Sequence, residues 1–162
     1  MSAPTQTLAF FGATGGVTNS TLAQALTAGY HSTALARSPQ KLIGMLRTAH
    51  SIPLETIEKQ LTIYTGDIKD VSAVSATLRS PLDTSKLVDN ICFGIGGYPV
   101  LQWSFFQPIT LNDIHICEDA TMTILVALEE LEAQGIIESS IGRKPLFSSI
   151  STTGISDKVG GI

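Results

Sequence analysis

The stretch Gly12-Ala13-Thr14-Gly15-Gly16-Val17-Thr18 decides how this sequence folds. It follows a short apolar run at residues 7–11, which predicts a buried strand. From Ser20 onward apolar residues recur at helical spacing, and Gly29 is placed to end that helix. A strand, a glycine turn and a helix in this order predict the start of a βαβ unit.

Strand and helix patterns alternate along the rest of the chain, with no internal repeat and no linker. Further strands are predicted at residues 30–36, 61–65, 87–95 and 145–150, and a loop at residues 98–112. Helices are predicted after Ser38-Pro39, within residues 51–60, after Asp70, and from Asn112 or Asp113 to near Gly135. The last helix carries an apolar stripe predicted to be buried: Cys117, Thr121, Ile124, Leu125, Leu128 and Leu131. Such alternation implies parallel strands joined by crossovers. The predicted fold is therefore α/β, a doubly wound parallel sheet (Rossmann fold) of about five strands in order 3-2-1-4-5.

The glycine turn predicts a dinucleotide-binding site. Its first glycine permits a tight turn off the strand, and Gly15 lets the backbone approach a pyrophosphate without an intervening Cβ. The helix start offers unpaired N–H groups and a partial positive charge to the phosphates. Thr18 stands where such turns usually carry a third glycine, which predicts slightly looser packing of the helix on the sheet. The alternative is that the glycines serve only a tight turn. The predicted cofactor contacts of this turn are Gly12, Thr14, Gly15, Gly16 and Val17.

The end of the second strand favours NADP(H) over NAD(H). An NAD site usually places an Asp or Glu there, on the ribose 2′-hydroxyl, but no acidic residue occurs between Val17 and Leu54. The strand ends instead in Arg37 and Ser38. A guanidinium pairs well with a 2′-phosphate, and a serine hydroxyl can add a hydrogen bond. An ordinary surface arginine is the alternative, and Lys41, one turn further on, is expected to be solvated.

Two more predicted contacts follow the third and fourth strands. The segment Gly66-Asp67-Ile68 lies where a side chain can meet the adenine amino group, although Asp67 can equally cap the next turn or helix. The segment Gly94-Ile95-Gly96 lies where the backbone would approach the cofactor closely, with a plain turn as the alternative.

Composition sets the protein class. The chain has 162 residues, of which 43% are hydrophobic and 15% charged, with a net charge of -4. These values predict a single globular domain over residues 1–162, and the scattered Lys and Arg disfavour nucleic-acid binding. No signal peptide or membrane span is evident, which predicts a soluble cytoplasmic protein with no membrane partner. Cys92 and Cys117 are predicted to be buried thiols, and no metal site is expected.

With these residues placed, the chain resembles the atypical branch of the short-chain dehydrogenase/reductase superfamily, and within it the NmrA-like NAD(P)-binding proteins of the fungal kind. The segments that carry the resemblance are residues 12–16, 34–39, 66–67, 94–97 and 147–154. The resemblance implies an NADPH-dependent oxidoreductase acting on a small organic carbonyl or conjugated substrate. It equally allows a regulatory NADP(H)-binding protein without turnover, as NmrA is, or an inactive fragment.

The main branch of that superfamily uses a Tyr-x-x-x-Lys pair for proton transfer. No such pair exists here, because Tyr30, Tyr64 and Tyr98 are not followed four residues later by lysine. By analogy, Ser151 or Thr152 at the end of the fifth strand could bind a substrate carbonyl or the nicotinamide amide.

The loop after the fourth strand is rich in aromatic residues, including Tyr98, Trp103 and Phe106. Ligands of open α/β sheets bind along this carboxyl edge, so the loop could wall a pocket for a small-molecule substrate. Local core or a self-association surface is the alternative. His115 could donate a proton, although a structural role is the more common one.

After the fifth strand too few residues remain for another helix and strand. Dinucleotide-binding folds of this kind normally continue to a sixth strand. We therefore expect a chain shortened at its C-terminus relative to the family, with an open fifth strand. A naturally minimal form or a homo-oligomer that covers the open edge are the alternatives.

Overall fold

The computed structural model describes residues 6–96, 99–101, 109–111 and 115–150, and for the two three-residue segments only the backbone. Strands and helices alternate through most of this range, as the sequence predicts. The elements are β1 (Thr7–Phe11), α1 (Gly16–Thr27), β2 (His31–Ala36), α2 (Pro39–His50), α3 (Leu54–Gln60), β3 (Leu61–Thr65), α4 (Val71–Leu78), β4 (Asn90–Phe93), β5 (Pro99–Leu101), β6 (Ile109–Leu111), α5 (Ile116–Ala133) and β7 (Leu146–Ser149).

The main sheet has five parallel strands in the order β3-β2-β1-β4-β7. This is the predicted 3-2-1-4-5 order, with β7 as the predicted fifth strand. At the centre, Ala9 of β1 is aligned with Thr33 of β2 on one side and Ile91 of β4 on the other. The strand order reverses direction beside β1, which creates the switch point where ligands of doubly wound sheets bind.

Successive side chains of β1 enter two separate cores, because neighbouring residues of a strand point to opposite faces. Phe10 packs with the apolar faces of α1, α2 and α3, including Leu22 and Leu42. Ala9 and Phe11 pack on the other face with residues of α4 and α5. Helices therefore cover both faces of the sheet, as expected for a doubly wound fold.

The predicted helix boundaries are confirmed at three places. Ser38 is the N-cap of α2, with its hydroxyl accepting from the Lys41 N–H, and proline follows at the first turn. Asp70 caps α4 by accepting from two backbone N–H groups of the first turn. Gly29 follows the end of α1 with a φ of 87°, a conformation that glycine adopts without strain.

Two boundaries near the cleft differ from the prediction. Helix α1 begins at Gly16, ahead of the apolar repeat that starts at Ser20. Strand β4 spans only Asn90–Phe93 instead of residues 87–95. The reason is that the N–H groups of Leu87 and Val88 bond to carbonyls outside the sheet, those of Glu138 and Leu78. Leu87 forms only isolated bridges, to Arg79 and Ser139, and both residues are buried among residues of α4 and α5.

The predicted loop at residues 98–112 contains a short antiparallel hairpin, β5 with β6. Val100 pairs with Thr110 in this hairpin. Both are β-branched residues, which favour extended backbone. The aromatic composition of this segment favoured the prediction of a loop that walls a pocket, and the two strands were not predicted.

The buried stripe predicted for α5 is partly wrong. Ile124 and Leu131 are buried as predicted, but Leu125 is 48% exposed and Cys117 is exposed. Two alanines, Ala120 and Ala127, take the remaining core positions of the helix. Small side chains there let α5 pack closely against α4, and the predicted stripe mixed residues from two faces of the helix. The helix also begins at Ile116, after the predicted starts at Asn112 and Asp113, which lie outside the described residues.

Strand β7 lies at the edge of the sheet with all four residues exposed. Leu146 and Phe147 are 55% and 41% exposed, as expected for an open strand. That a second copy of the chain covers this edge stays a prediction. In the described ranges, no helix combines the length and the apolar character that a membrane span needs.

Candidate cofactor-binding cleft

A cleft of 390 Å³ lies at the carboxyl ends of the first four strands. It is formed by the turns that follow β1, β2, β3 and β4, together with the start of α5. This is the switch point of the sheet, where the crevice for a ligand is expected. Its lining residues are Phe11, Gly12, Ala13, Thr14, Gly15, Gly16, Leu35, Ala36, Arg37, Gly66, Asp67, Ile68, Gly94, Ile95, Gly96 and Ile116.

The turn after β1 is closed by a hydrogen bond from the Gly15 N–H to the Gly12 carbonyl, 2.9 Å long. Gly12 has a φ of 82°, and a Cβ at this residue would lie 2.6 Å from the Gly94 carbonyl oxygen. A Cβ on Gly15 would approach the Gly12 carbonyl oxygen to 3.2 Å. Gly12 is therefore required by its backbone conformation and by the lack of space for a side chain, whereas Gly15 is required by the lack of space alone.

The helix α1 packs closely on the sheet although Thr18 replaces the expected third glycine. Thr18 is only 2% exposed. A Cβ added to Gly94, just beyond β4, would overlap the Thr18 hydroxyl. The prediction of looser packing is therefore wrong, because a glycine on the opposing segment makes the room that a glycine in the helix would otherwise make.

The first turn of α1 leaves backbone donors for a phosphate. The first i to i−4 bond of this helix is the one from the Asn19 N–H to the Gly15 carbonyl, so the N–H groups of residues 16–18 have no helical acceptor. No side chain caps the helix, and no acidic residue lies in its first turn. Val17 does not line the cleft with its side chain, and its contribution would come from its N–H. This arrangement suits an anion.

The turn after β2 contributes a basic side chain, Arg37, to the cleft. Arg37 is exposed and makes no ion pair with any described residue. It is the only Lys, Arg or His side chain among the residues that line the cleft. Ser38 does not line the cleft and is engaged as the cap of α2. A guanidinium that forms no ion pair with a described residue can bind a phosphate.

Asp67, in the turn after β3, caps that turn and not the helix α4. Its Oδ1 accepts from the Lys69 N–H at 3.0 Å, while the cap of α4 is a different residue, Asp70. The same carboxylate lines the cleft, and its contact with the adenine amino group stays a prediction. Ile68 is buried and, with Ile95 from the turn after β4, supplies apolar wall.

Several predicted residues lie outside the described residues: Ser151, Thr152, Tyr98, Trp103 and Phe106. Their roles in catalysis and substrate binding stay predictions. His115 is described and exposed, with its Nδ1 3.5 Å from an oxygen of Glu118. No set of three or more metal-ligating side chains occurs among the described residues.

Beyond Ile68 and Ile95, the sequence prediction missed most of the apolar residues that line the cleft. Phe11, Leu35 and Ala36 are strand residues whose ends form the floor of the cleft, and Ile116 reaches it from α5. The strand residues sit beside the predicted turns, so proximity in sequence could have found them. Nothing in the sequence indicates that α5 begins beside Ile95.

The two cysteines occupy different environments, contrary to the prediction that both are buried. Cys92 is buried in the sheet, and burial raises the pKa of its thiol. Cys117 is exposed on the first turn of α5 and donates to the Ile95 carbonyl at 3.1 Å.

We expect a thiol reagent such as dithionitrobenzoate to modify Cys117 in the folded protein, and Cys92 only after unfolding. Exposure and thiolate content both control this reaction, and burial lowers both for Cys92. Absorbance at pH 8 would count one reactive thiol per native chain and a second in denaturant, with Cys117→Ser as the control that removes the native reaction. Reaction of both thiols at similar rates in the native protein would contradict the placement of Cys92.

The fold is that of a Rossmann-type domain, and the cleft lies where doubly wound sheets of this kind bind their ligands. No protein-family model matches the chain. The chain is 40% identical over 159 residues to the reductase pytE of Aspergillus terreus, covering 97% of this chain and 57% of that protein. It is 39% identical over 170 residues to the oxidase pynE of Aspergillus niger, covering 96% of this chain and 58% of that protein. The chain thus spans somewhat more than half the length of these relatives.

The fold is also found in a solved structure, a short-chain dehydrogenase/reductase from Burkholderia multivorans with bound NADP. That likeness has a TM-score of 0.57 at 17% sequence identity, and covers 98% of this chain and 64% of the other. At this level of identity it shows the shared fold, in agreement with the strand order.

Proposed function

We propose that this chain is the NADP(H)-binding part of an NADPH-dependent oxidoreductase of the short-chain dehydrogenase/reductase superfamily. The observation that carries the proposal is the cleft itself. Uncapped N–H groups at the start of α1 and the Arg37 side chain, which makes no ion pair with a described residue, belong to the turns after two neighbouring strands of the cleft. A ligand with phosphates at two separated positions fits this arrangement, and NADP(H) has a pyrophosphate and a 2′-phosphate.

The residues of this chain would bind and orient the cofactor. Backbone donors of the turn and of the α1 start would hold the pyrophosphate, and Arg37 would hold the 2′-phosphate. Asp67 would accept from the adenine amino group through the carboxylate oxygen that is not bonded to the Lys69 N–H. The cofactor supplies a hydride or accepts one. Ile95 and the neighbouring backbone would exclude water from the wall of the cleft.

The named relatives support oxidoreductase chemistry, one being a reductase and the other an oxidase. The proposed substrate is a small organic molecule with a carbonyl or a conjugated system, reduced by positioning hydride donor and acceptor together. The chain spans 57% of the first relative. The assignment of that relative's kind of activity to this protein is therefore a proposal. We propose a cytoplasmic location, because the proposed cofactor NADP(H) is abundant in the cytoplasm.

The proposal predicts that NADPH binds at least about tenfold tighter than NADH, since one charge-assisted contact to the 2′-phosphate contributes about 1.5 kcal/mol or more. Titration of both cofactors, followed by nicotinamide fluorescence at fixed ionic strength, measures the ratio. Equal affinities would defeat the NADP(H) preference. Absence of binding by either cofactor would defeat the proposed function as a whole.

A second candidate is a regulatory NADP(H)-binding protein of the NmrA-like kind. The absence of a Tyr-x-x-x-Lys pair favours it, because proton transfer then lacks its usual donor. Incubation with NADPH and a panel of quinones and ketones separates the candidates. Oxidation of NADPH with any member supports the enzyme, and tight binding without oxidation supports the regulator.

A further inference from the structure

A buried asparagine lies directly beneath the glycine turn. Asn19, in the first turn of α1, is 1% exposed. Its side-chain Nδ2 donates to the Ala13 carbonyl at 2.9 Å, and its backbone N–H donates to the Gly15 carbonyl at 2.7 Å. One residue thus holds two carbonyls of the turn that lines the cleft.

The same side chain is held from the other side by a histidine. His50, the last residue of α2, places its Nε2 2.9 Å from Asn19 Oδ1. The Ala13 carbonyl can only accept, which requires the amide nitrogen of Asn19 to face it. The amide oxygen therefore faces His50, and since that oxygen also only accepts, the ring nitrogen must carry a hydrogen and donate it.

This chain of bonds fixes the direction of a peptide group in the turn. In a trans peptide the C=O and the following N–H point in opposite directions. The Ala13 carbonyl points to Asn19 in the protein interior, so the N–H of Thr14 points the opposite way. Thr14 lines the cleft, where this N–H would be a further donor to an anion.

We propose that His50, acting through Asn19, is a positioning residue for the part of the turn that binds the pyrophosphate of a dinucleotide. The proposal rests on the proposed function. It also connects the two phosphate sites, because α2 starts at the residues after Arg37 and ends at His50. A single helix thereby connects the segment that carries Arg37 with the residue that contacts Asn19.

The test compares two nucleotides that share only one of these contacts. NADPH uses both the turn and Arg37, whereas adenosine 2′-monophosphate has no pyrophosphate and of these two contacts uses only Arg37, while both nucleotides share the adenine. His50→Phe keeps a ring but removes the donor, and is expected to weaken NADPH binding about three- to tenfold. Binding of adenosine 2′-monophosphate should stay within about twofold of wild type, and calorimetry measures both.

Two further variants separate positioning from a general loss of stability. His50→Gln retains a donor N–H and is expected to recover most of the NADPH affinity. Arg47→Ala removes an exposed basic residue from the same last turn of α2 and should change neither affinity. An equal loss for both nucleotides in His50→Phe, or no loss for NADPH, would overturn the proposal.

Hydrogen exchange tests the contact without any nucleotide. If His50 braces Asn19, His50→Phe should speed exchange of the Asn19 and Gly15 amides, which are both bonded within the turn. Unchanged exchange at these amides overturns the brace, whatever the nucleotides show. If the wild-type protein binds neither nucleotide, the proposed function fails, and the exchange result still decides whether His50 fixes the turn.

Discussion

Replacing Gly94 by alanine is expected to destabilise the fold by about 3 kcal/mol, the upper end of the cost of overpacking a core. The added Cβ would overlap the hydroxyl of Thr18, which is buried, so the side chain or the helix must shift. Separation of α1 from the sheet would also move the phosphate-binding turn, because Gly94 contacts Gly12. NADPH affinity should fall by about tenfold or more. Denaturant unfolding and a cofactor titration measure the two effects.

Two variants make this prediction specific. Thr18→Gly removes the side chain that the new methyl group would meet, so the double variant should be more stable than Gly94→Ala alone, with a coupling of about 2 kcal/mol. Gly44→Ala is the matched control, since its Cβ would meet nothing within 4 Å and the residue lies inside α2. That change should stabilise the protein by roughly 0.5–1 kcal/mol. Additive effects of the changes at Gly94 and Thr18 would show that the two residues do not share one packing space.

Replacing Arg37 by alanine is expected to weaken NADPH binding by about ten- to a hundredfold and to leave NADH binding nearly unchanged. Among the described residues that line the cleft, Arg37 is the only basic one, and NADH has no 2′-phosphate for it to contact. Arg37→Lys should fall between wild type and alanine, because lysine keeps the charge but loses the planar pair of donors. Fluorescence titration at fixed salt measures each affinity.

Arg47→Ala is the matched control for charge, since this arginine is exposed on α2 and does not line the cleft. It should bind both cofactors as wild type does. An equal loss of NADPH and NADH binding in Arg37→Ala would mean that the residue supports the site without reading the 2′-phosphate. No loss would pass that role to another basic residue such as Lys41.

The fold was accessible from the sequence because its signals are local. Glycine in a left-handed conformation at residue 29, serine before proline at residue 38 and aspartate at residue 70 each act on the adjacent backbone, and all three end or begin a helix as predicted. Strand order followed from alternation of strands and helices together with the glycine turn. The turns that line the cleft were found for the same reason, since each directly follows a strand.

The parts that escaped prediction depend on contacts between segments distant in sequence. Thr18 fits against the sheet because Gly94 leaves room for its side chain. This cannot be predicted from Thr18 alone, since Gly94 lies 76 residues further along the chain. The exposure of Cys117 depends on which face of α5 meets α4, and that face alternates alanine with larger residues, which the search for a stripe of large apolar residues did not capture. The brace between Asn19 and His50 joins two polar residues that no local pattern connects.

The placement of the cleft in the chain has a consequence for biosynthesis. Its lining comes from the turns after the first four strands, all before residue 97, and Ile116 is the one exception. Because the amino-terminal part of a chain leaves the ribosome first, the turns that would contact a nucleotide are synthesised before β7. A ligand that binds the folded form draws the chain toward it by mass action. With the proposed function, cofactor binding would thus favour an ordered arrangement of the first four strands in the nascent chain, before the last strand of the sheet has been synthesised.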